Sequence, residues 1–141
     1  MGNLAVTLYL QGRLAESETL KRQCFELRRQ VRGNEHLETL ASAMNLVLVY
    51  RAQGRFSEAE ALLLKTINTL RRARGEDHPE TLRAEHNLAL LLNDLGRYSE
   101  AEPVARRTVG TMDRVLRKDH PETQATRTLL AMILKIGRAH V

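Results

Sequence analysis

Shifted by 42 residues the sequence falls on itself, and nothing else in it limits the possible folds so severely. Asn3, Asn45 and Asn87 coincide, then Leu4, Leu46 and Leu88, then the pairs Gly12-Arg13, Gly54-Arg55 and Gly96-Arg97. The register continues without a gap through Glu16, Glu58 and Glu100, through Glu18, Glu60 and Glu102, and through His36, His78 and His120. It closes on Glu38-Thr39, Glu80-Thr81 and Glu122-Thr123. Residues 45–86 and 87–128 agree at 17 of 42 positions, where chance would give about three. Such a chain repeats one supersecondary unit and must bury each unit's apolar face on its neighbours.

Within the repeat the spacing is helical. In residues 45–86 and the turn before them, Leu40, Met44, Val47, Leu48 and Tyr50 recur at helical intervals and are expected to face inward. Gly54-Arg55 supplies a turn, and a second helix carries the stripe on through Ala61, Leu62, Ile67 and Leu70. Ser57 with Glu60, and Ser99 with Glu102, have the spacing of a capping box, so the two serines are expected to cap these helices. Counted from Ser99, Pro103 falls in a first turn and should not break its helix. Each repeat ends at a hinge such as Gly75-Glu76-Asp77-His78-Pro79, where Gly permits a left-handed stop and Pro suits a first helical position. The fold class is therefore all-α: a superhelical solenoid of antiparallel helix pairs, with repeats at about 3–44, 45–86 and 87–128 and a truncated fourth at 129–135.

The order Asn-Leu-Ala, then Gly-Arg-Tyr-Ser-Glu-Ala-Glu-Pro (Asn87 to Pro103), with the Asp-His-Pro-Glu-Thr hinge of Glu76 to Thr81, resembles the 42-residue tetratricopeptide repeats of kinesin light chain. It is also similar to arrays in fungal and bacterial signalling proteins. The resemblance runs from Asn3 to about Lys135 and implies a scaffold, not a particular partner. Three positions depart from the pattern: Leu37 stands where Pro79 and Pro121 stand, Arg117 replaces the hinge glycines Gly33 and Gly75, and Leu129 replaces the repeated Asn. The first hinge is accordingly expected to be looser than the second.

Both ends of the chain fall within a repeat, and the expectation is a piece of a larger parent. The last six residues, Ile136 to Val141, translate the sequencing-adapter string ATCGGAAGAGCACACGTC. The 42-residue register would put Gly and Arg at 138 and 139, one place later than Gly137-Arg138. This tail is read as non-native and set aside from the fold, which lowers the net charge from +5 to +4.

The residue types argue against chemistry. His36, His78 and His120 sit a whole repeat apart, whereas metal ligands must converge to about 2 Å from one ion, so they are read as hinge caps. Cys24, the single cysteine, aligns with Thr66 and Thr108 and reads as a half-buried filler, consistent with a cytoplasmic setting. No Ser-His-acid set, phosphate loop or HExxH helix occurs, so no enzyme, cofactor or metal is expected, and no apolar run is long enough for a membrane span. RNA binding is the alternative, because the chain is basic and some helical repeats read RNA. Arg71-Arg72, Arg106-Arg107 and Arg117-Lys118 fall, however, on second helices or hinges, which the resemblance turns outward. A solvated surface is the default for interleaved charge.

The resemblance also implies that first helices line a groove in which the repeated Asn grips a peptide backbone. That places Asn45 and Asn87 as partner-binding candidates, with Asn3 at the chain's start. An amide can donate to and accept from a peptide group at once. Counting along the same helical face adds Met44, Leu48 and Arg51 in one repeat, and Arg83, His86, Leu90 and Asn93 in the next. Apolar residues with positive edges would favour a protein or peptide segment carrying a hydrophobic anchor and acidic neighbours. The competing reading is that Asn45 and Asn87 bond between neighbouring helices of the fold.

Overall fold

The computed structural model describes residues 14–33 and 36–139, with side chains to 137. Asn3, Leu4, Gly12, Arg13, His140 and Val141 lie outside the described residues. Those described form helices α1 (Leu14–Arg32), α2 (Leu37–Ala52), α3 (Phe56–Arg74), α4 (Pro79–Asp94), α5 (Tyr98–Val115) and α6 (Pro121–Ala139), and no strand occurs among them. Helix α6 runs on through Ile136 to Ala139, and Gly137 sits so close over Tyr98 that a Cβ there would lie 3.4 Å from the tyrosine's own. The chain divides into two compact units, Met1–Thr69 and Leu70–Val141.

In the N-terminal unit α1 packs on α2, and the core is Leu40, Ala43, Leu46, Val47, Val49, Tyr50, Ala59, Leu63 and Ile67. The expected stripe is rotated. Leu48 is 44% exposed, Ala61 is exposed and Leu62 only half-buried, while Leu46, Val49 and Leu63 point inward. The run Leu46 to Tyr50 is apolar at five successive positions, so it offers no contrast between faces from which a direction could be read. In the C-terminal unit α4 packs on α5, α5 on α6, and α4 also meets α6. Its core centres on Leu82, Leu91, Met112 and Ile133, none more than 1% exposed. Each such side chain contributes about 2 kcal/mol by leaving water. Ala84, Ala89, Ala101 and Ala105 are completely covered and let the helices approach closely.

The punctuation follows the repeat. His36, His78 and His120 precede their helices, and each Nδ1 accepts the backbone N–H two residues on, at 3.1 Å, from Glu38, Glu80 and Glu122 respectively. This satisfies one of the first-turn donors that no carbonyl can reach. Leu37 opens α2 as well as Pro79 opens α4, because the histidine cap is shared. Gly33, Gly54, Gly75 and Gly96 adopt φ between 74° and 94°, the left-handed region the hinge and the turn require.

The serine caps are a correction. Arg55 and Arg97, not Ser57 and Ser99, hold the cap position, since their carbonyls accept the N–H of Ala59 and of Ala101, each at 3.0 Å. Helices α3 and α5 start at Phe56 and Tyr98, and α5 has no side-chain cap. The arginines instead reach forward to the first-turn carboxylates: Arg55 Nε lies 2.9 Å from Glu58, and Arg97 Nη2 3.0 Å from Glu100. These bonds hold the Glu58 and Glu100 carboxyls below the usual carboxylate range. The earlier start also makes Pro103 the sixth helical residue, not a first-turn one, and the helix nevertheless continues to Val115.

Candidate functional site

Helices α4 and α6 enclose an open cleft of about 220 Å³ in the C-terminal unit. Arg83, His86 and Asn87 of α4 form one wall, spaced so that they share one face. Glu122, Ala125 and Thr126 of α6 form the other, and Met112 of α5 is the floor. Three of the candidates thus come together. Leu90 and Asn93, one and two turns further along α4, are half-buried outside the cleft, and the Asn93 Oδ1 is buried without a hydrogen bond.

The cleft is defined electrostatically by Arg83. Its Nε donates to Glu122 Oε1 at 2.5 Å, and its Nη1 pairs with Glu80 on its own helix. The hydrogen bond to Glu122 is the chief cause that raises the guanidinium's pKa further, with burial opposing and Glu80 adding. Arg83, offered by the sequence as a positive edge, is therefore enclosed between two carboxylates. The second Glu122 oxygen, Oε2, is buried and takes no hydrogen bond.

At the opposite corner the Thr126 hydroxyl lies 3.1 Å from the Glu122 carbonyl and 2.8 Å from His86 Nδ1, and the His86 tautomer sets the direction of the second bond. Asn87 is half-buried between these groups, and its amide makes no hydrogen bond among the described residues.

The matching positions of α2, in the N-terminal unit, are less enclosed. Asn45 and Leu48 are exposed, Met44 and Arg51 half-buried, and Asn45 likewise makes no side-chain hydrogen bond among the described residues. This unit's larger hollow, about 370 Å³, involves Phe25, Leu46, Tyr50 and Leu62 and none of the candidates. At its edge Arg22 bonds the Tyr50 hydroxyl at 3.2 Å and pairs with buried Glu18, which Arg55 also meets at 3.0 Å.

The α6 wall was missed in the sequence. Glu122 lies 39 residues from Arg83, beyond any spacing along one helix. The repeat itself held the signal, since a first helix must face the next first helix one period on. The charged pairs weighed for nucleic acid are largely occupied: Arg71 Nη2 lies 2.6 Å from Glu85, while Arg106 and Arg107 meet Glu102 and Glu85, each at 3.6 Å. Among the described residues no group of three or more His, Cys, Asp or Glu is placed to hold a metal ion, and no helix is long and apolar enough to cross a membrane.

A family model described as tetratricopeptide repeat matches the chain twice, over residues 1–71 and 40–112. No curated protein matches. Among solved structures, the nearly identical TPR-like repeats of a Podosopora anserina protein described as a kinesin light chain superpose with a TM-score of 0.84, and a single-substitution variant of those repeats with 0.85. Both are 27% identical to this chain, over 93% of its length. BtubC (BKLC) from P. vanneervenii, 16% identical, shares the fold with a TM-score of 0.84 over 95% of the chain. The chain spans 62% of the length of the first two and 53% of the third.

Proposed function

Because the chain belongs to the tetratricopeptide repeat family, we propose that it is a non-catalytic interaction module holding an extended segment of a partner protein against its first helices. The family's repeats are protein-interaction scaffolds, and the fold of antiparallel helix pairs is that of the kinesin light chain-like repeats it resembles. The observation that carries the finer reading is Asn87: an amide without an intramolecular hydrogen bond among the described residues, on the wall of an open cleft. A buried or half-buried amide is normally satisfied, and a peptide backbone offers it a donor and an acceptor together. Asn45 on α2, with Met44, Leu48 and Arg51 beside it, is the matching candidate of the N-terminal unit. A half-buried single cysteine fits a reducing cytoplasm.

One such cleft covers little area, so a single peptide should bind at about micromolar strength, near −8 kcal/mol. The test uses peptides retained by the immobilised chain from a random dodecapeptide display library, titrated by fluorescence anisotropy. Asn87→Ala is expected to weaken them about tenfold, the value of one well-made hydrogen-bond pair, with unchanged helicity by circular dichroism. Unchanged affinity, or lost helicity, would assign Asn87 a purely structural role.

A further inference from the structure

The geometry points to a basic side chain, lysine or arginine, as what the cleft between α4 and α6 accepts from its partner, an inference that rests on the peptide-holding reading above. The sequence alone suggests the opposite, because Arg83 and His86 look like positive edges for an acidic peptide. The structure gives Arg83 two carboxylates, Glu80 and Glu122, so one guanidinium faces two negative groups and the cluster keeps an excess negative charge. Nearby Arg127 does not restore the balance, because it is paired with Asp113 at 2.5 Å.

Glu122 gives Oε1 to Arg83, and its Oε2 is buried. Thr126 and His86 Nδ1 are bonded to each other, and Thr126 also to the Glu122 carbonyl. Asn87 contributes one acceptor and its two donors. What favours a cation is therefore the net charge of the cluster, two carboxylates to one guanidinium, and not a count of donors and acceptors. The α6 wall suits the same guest, since exposed Ala125 offers an apolar contact to the aliphatic stem that lysine and arginine carry behind their charge.

The peptides retained from the dodecapeptide library are sorted first by rebinding to the chain carrying Ala125→Trp. Ala125 is exposed on the cleft wall, and the indole fills the space without adding charge. Peptides lost on this variant are cleft binders. Among them lysine or arginine should be enriched over aspartate and glutamate, and replacing the enriched residue by glutamate should weaken binding about fivefold or more, as expected of a partly exposed ion pair. Glu122→Gln should shrink that preference, with Glu80→Gln as a second variant should the first fail to fold. Enrichment of acidic residues, or equal binding of lysine and glutamate versions, would overturn the inference and leave the peptide-holding reading standing. Should no retained peptide be lost on Ala125→Trp, the cleft is no peptide site, and both fall together.

Discussion

The two hinges of the C-terminal unit occupy equivalent places in the repeat, and they are closed by different means. In the hinge from Gly75 to Thr81 the left-handed residue is glycine, at φ 94°, and the Thr81 hydroxyl reaches back to the Gly75 carbonyl at 2.8 Å. In the hinge from Arg117 to Thr123 the left-handed residue is Arg117, at φ 83°, and the Thr123 hydroxyl is buried without a partner. The ion pair that bridges each hinge is inverted. Arg71 before the first hinge meets Glu85 after it, whereas Asp113 before the second meets Arg127 after it, each across 14 residues. These two copies thus both carry a charge pair across the hinge and differ in its polarity, whereas the first copy has Arg29 and Ala43 at the same places. The histidine cap is the part both hinges share, and it is the part that starts a helix.

Breaking the ion pairs should show the largest contrast. The Glu85 side chain is 5% exposed, and it also accepts from Thr108 at 3.3 Å. Glu85→Gln leaves the guanidinium of Arg71 facing a neutral group in a largely dry site, and should cost about 2 kcal/mol. The Asp113–Arg127 pair is more open, with side chains 24% and 45% exposed. Asp113→Asn should cost below about 1 kcal/mol. Urea midpoints of the two variants would compare them directly, and equal losses would mean that burial does not separate the two pairs.

The left-handed residues should respond in opposite directions. A side chain at Gly75 would touch nothing within 4 Å, so Gly75→Ala pays only the conformational penalty and should lose about 1 kcal/mol. Arg117→Gly relieves the same strain and should gain about 0.5 kcal/mol, part of the relief being offset by a freer unfolded chain. Thermal unfolding would resolve shifts of roughly 2–4 °C per kcal/mol. A loss on Arg117→Gly would show that the Arg117 side chain contributes more than its backbone costs.

These contrasts mark where the sequence was legible. The period, the histidine caps and the left-handed glycines depend on residues that act alone at fixed places, so aligning His78 with His120 was enough to find them. The direction of α2 was not legible, because Leu46 to Tyr50 are all apolar and only the packed neighbours select Leu46, Val47 and Val49 over Leu48. The starts of α3 and α5 were misplaced for a related reason. Ser57 and Ser99 have the composition of a cap, but the left-handed Gly54 and Gly96 already turn the chain, and the arginine that follows begins the helix. In the cleft, the α4 wall could be counted along one helix. The charge state of that wall could not, since Arg83 is neutralised in part from α6.

The threonines give the smallest test of the two hinges and the most discriminating one, because the same substitution is expected to differ in sign. Thr81→Val keeps the shape and removes the bond to Gly75, whose carbonyl would retain only the long 3.4 Å contact from the His78 N–H. It should lose about 0.5–1 kcal/mol. Thr123→Val removes a hydroxyl that is wholly buried and bonded to nothing, so it should be neutral or stabilising by a few tenths of a kcal/mol. Thr39, buried in the N-terminal unit and without a partner among the described residues, should behave like Thr123. A loss at Thr123 equal to that at Thr81 would mean that its hydroxyl does find a partner, and that the second hinge is closed as the first is.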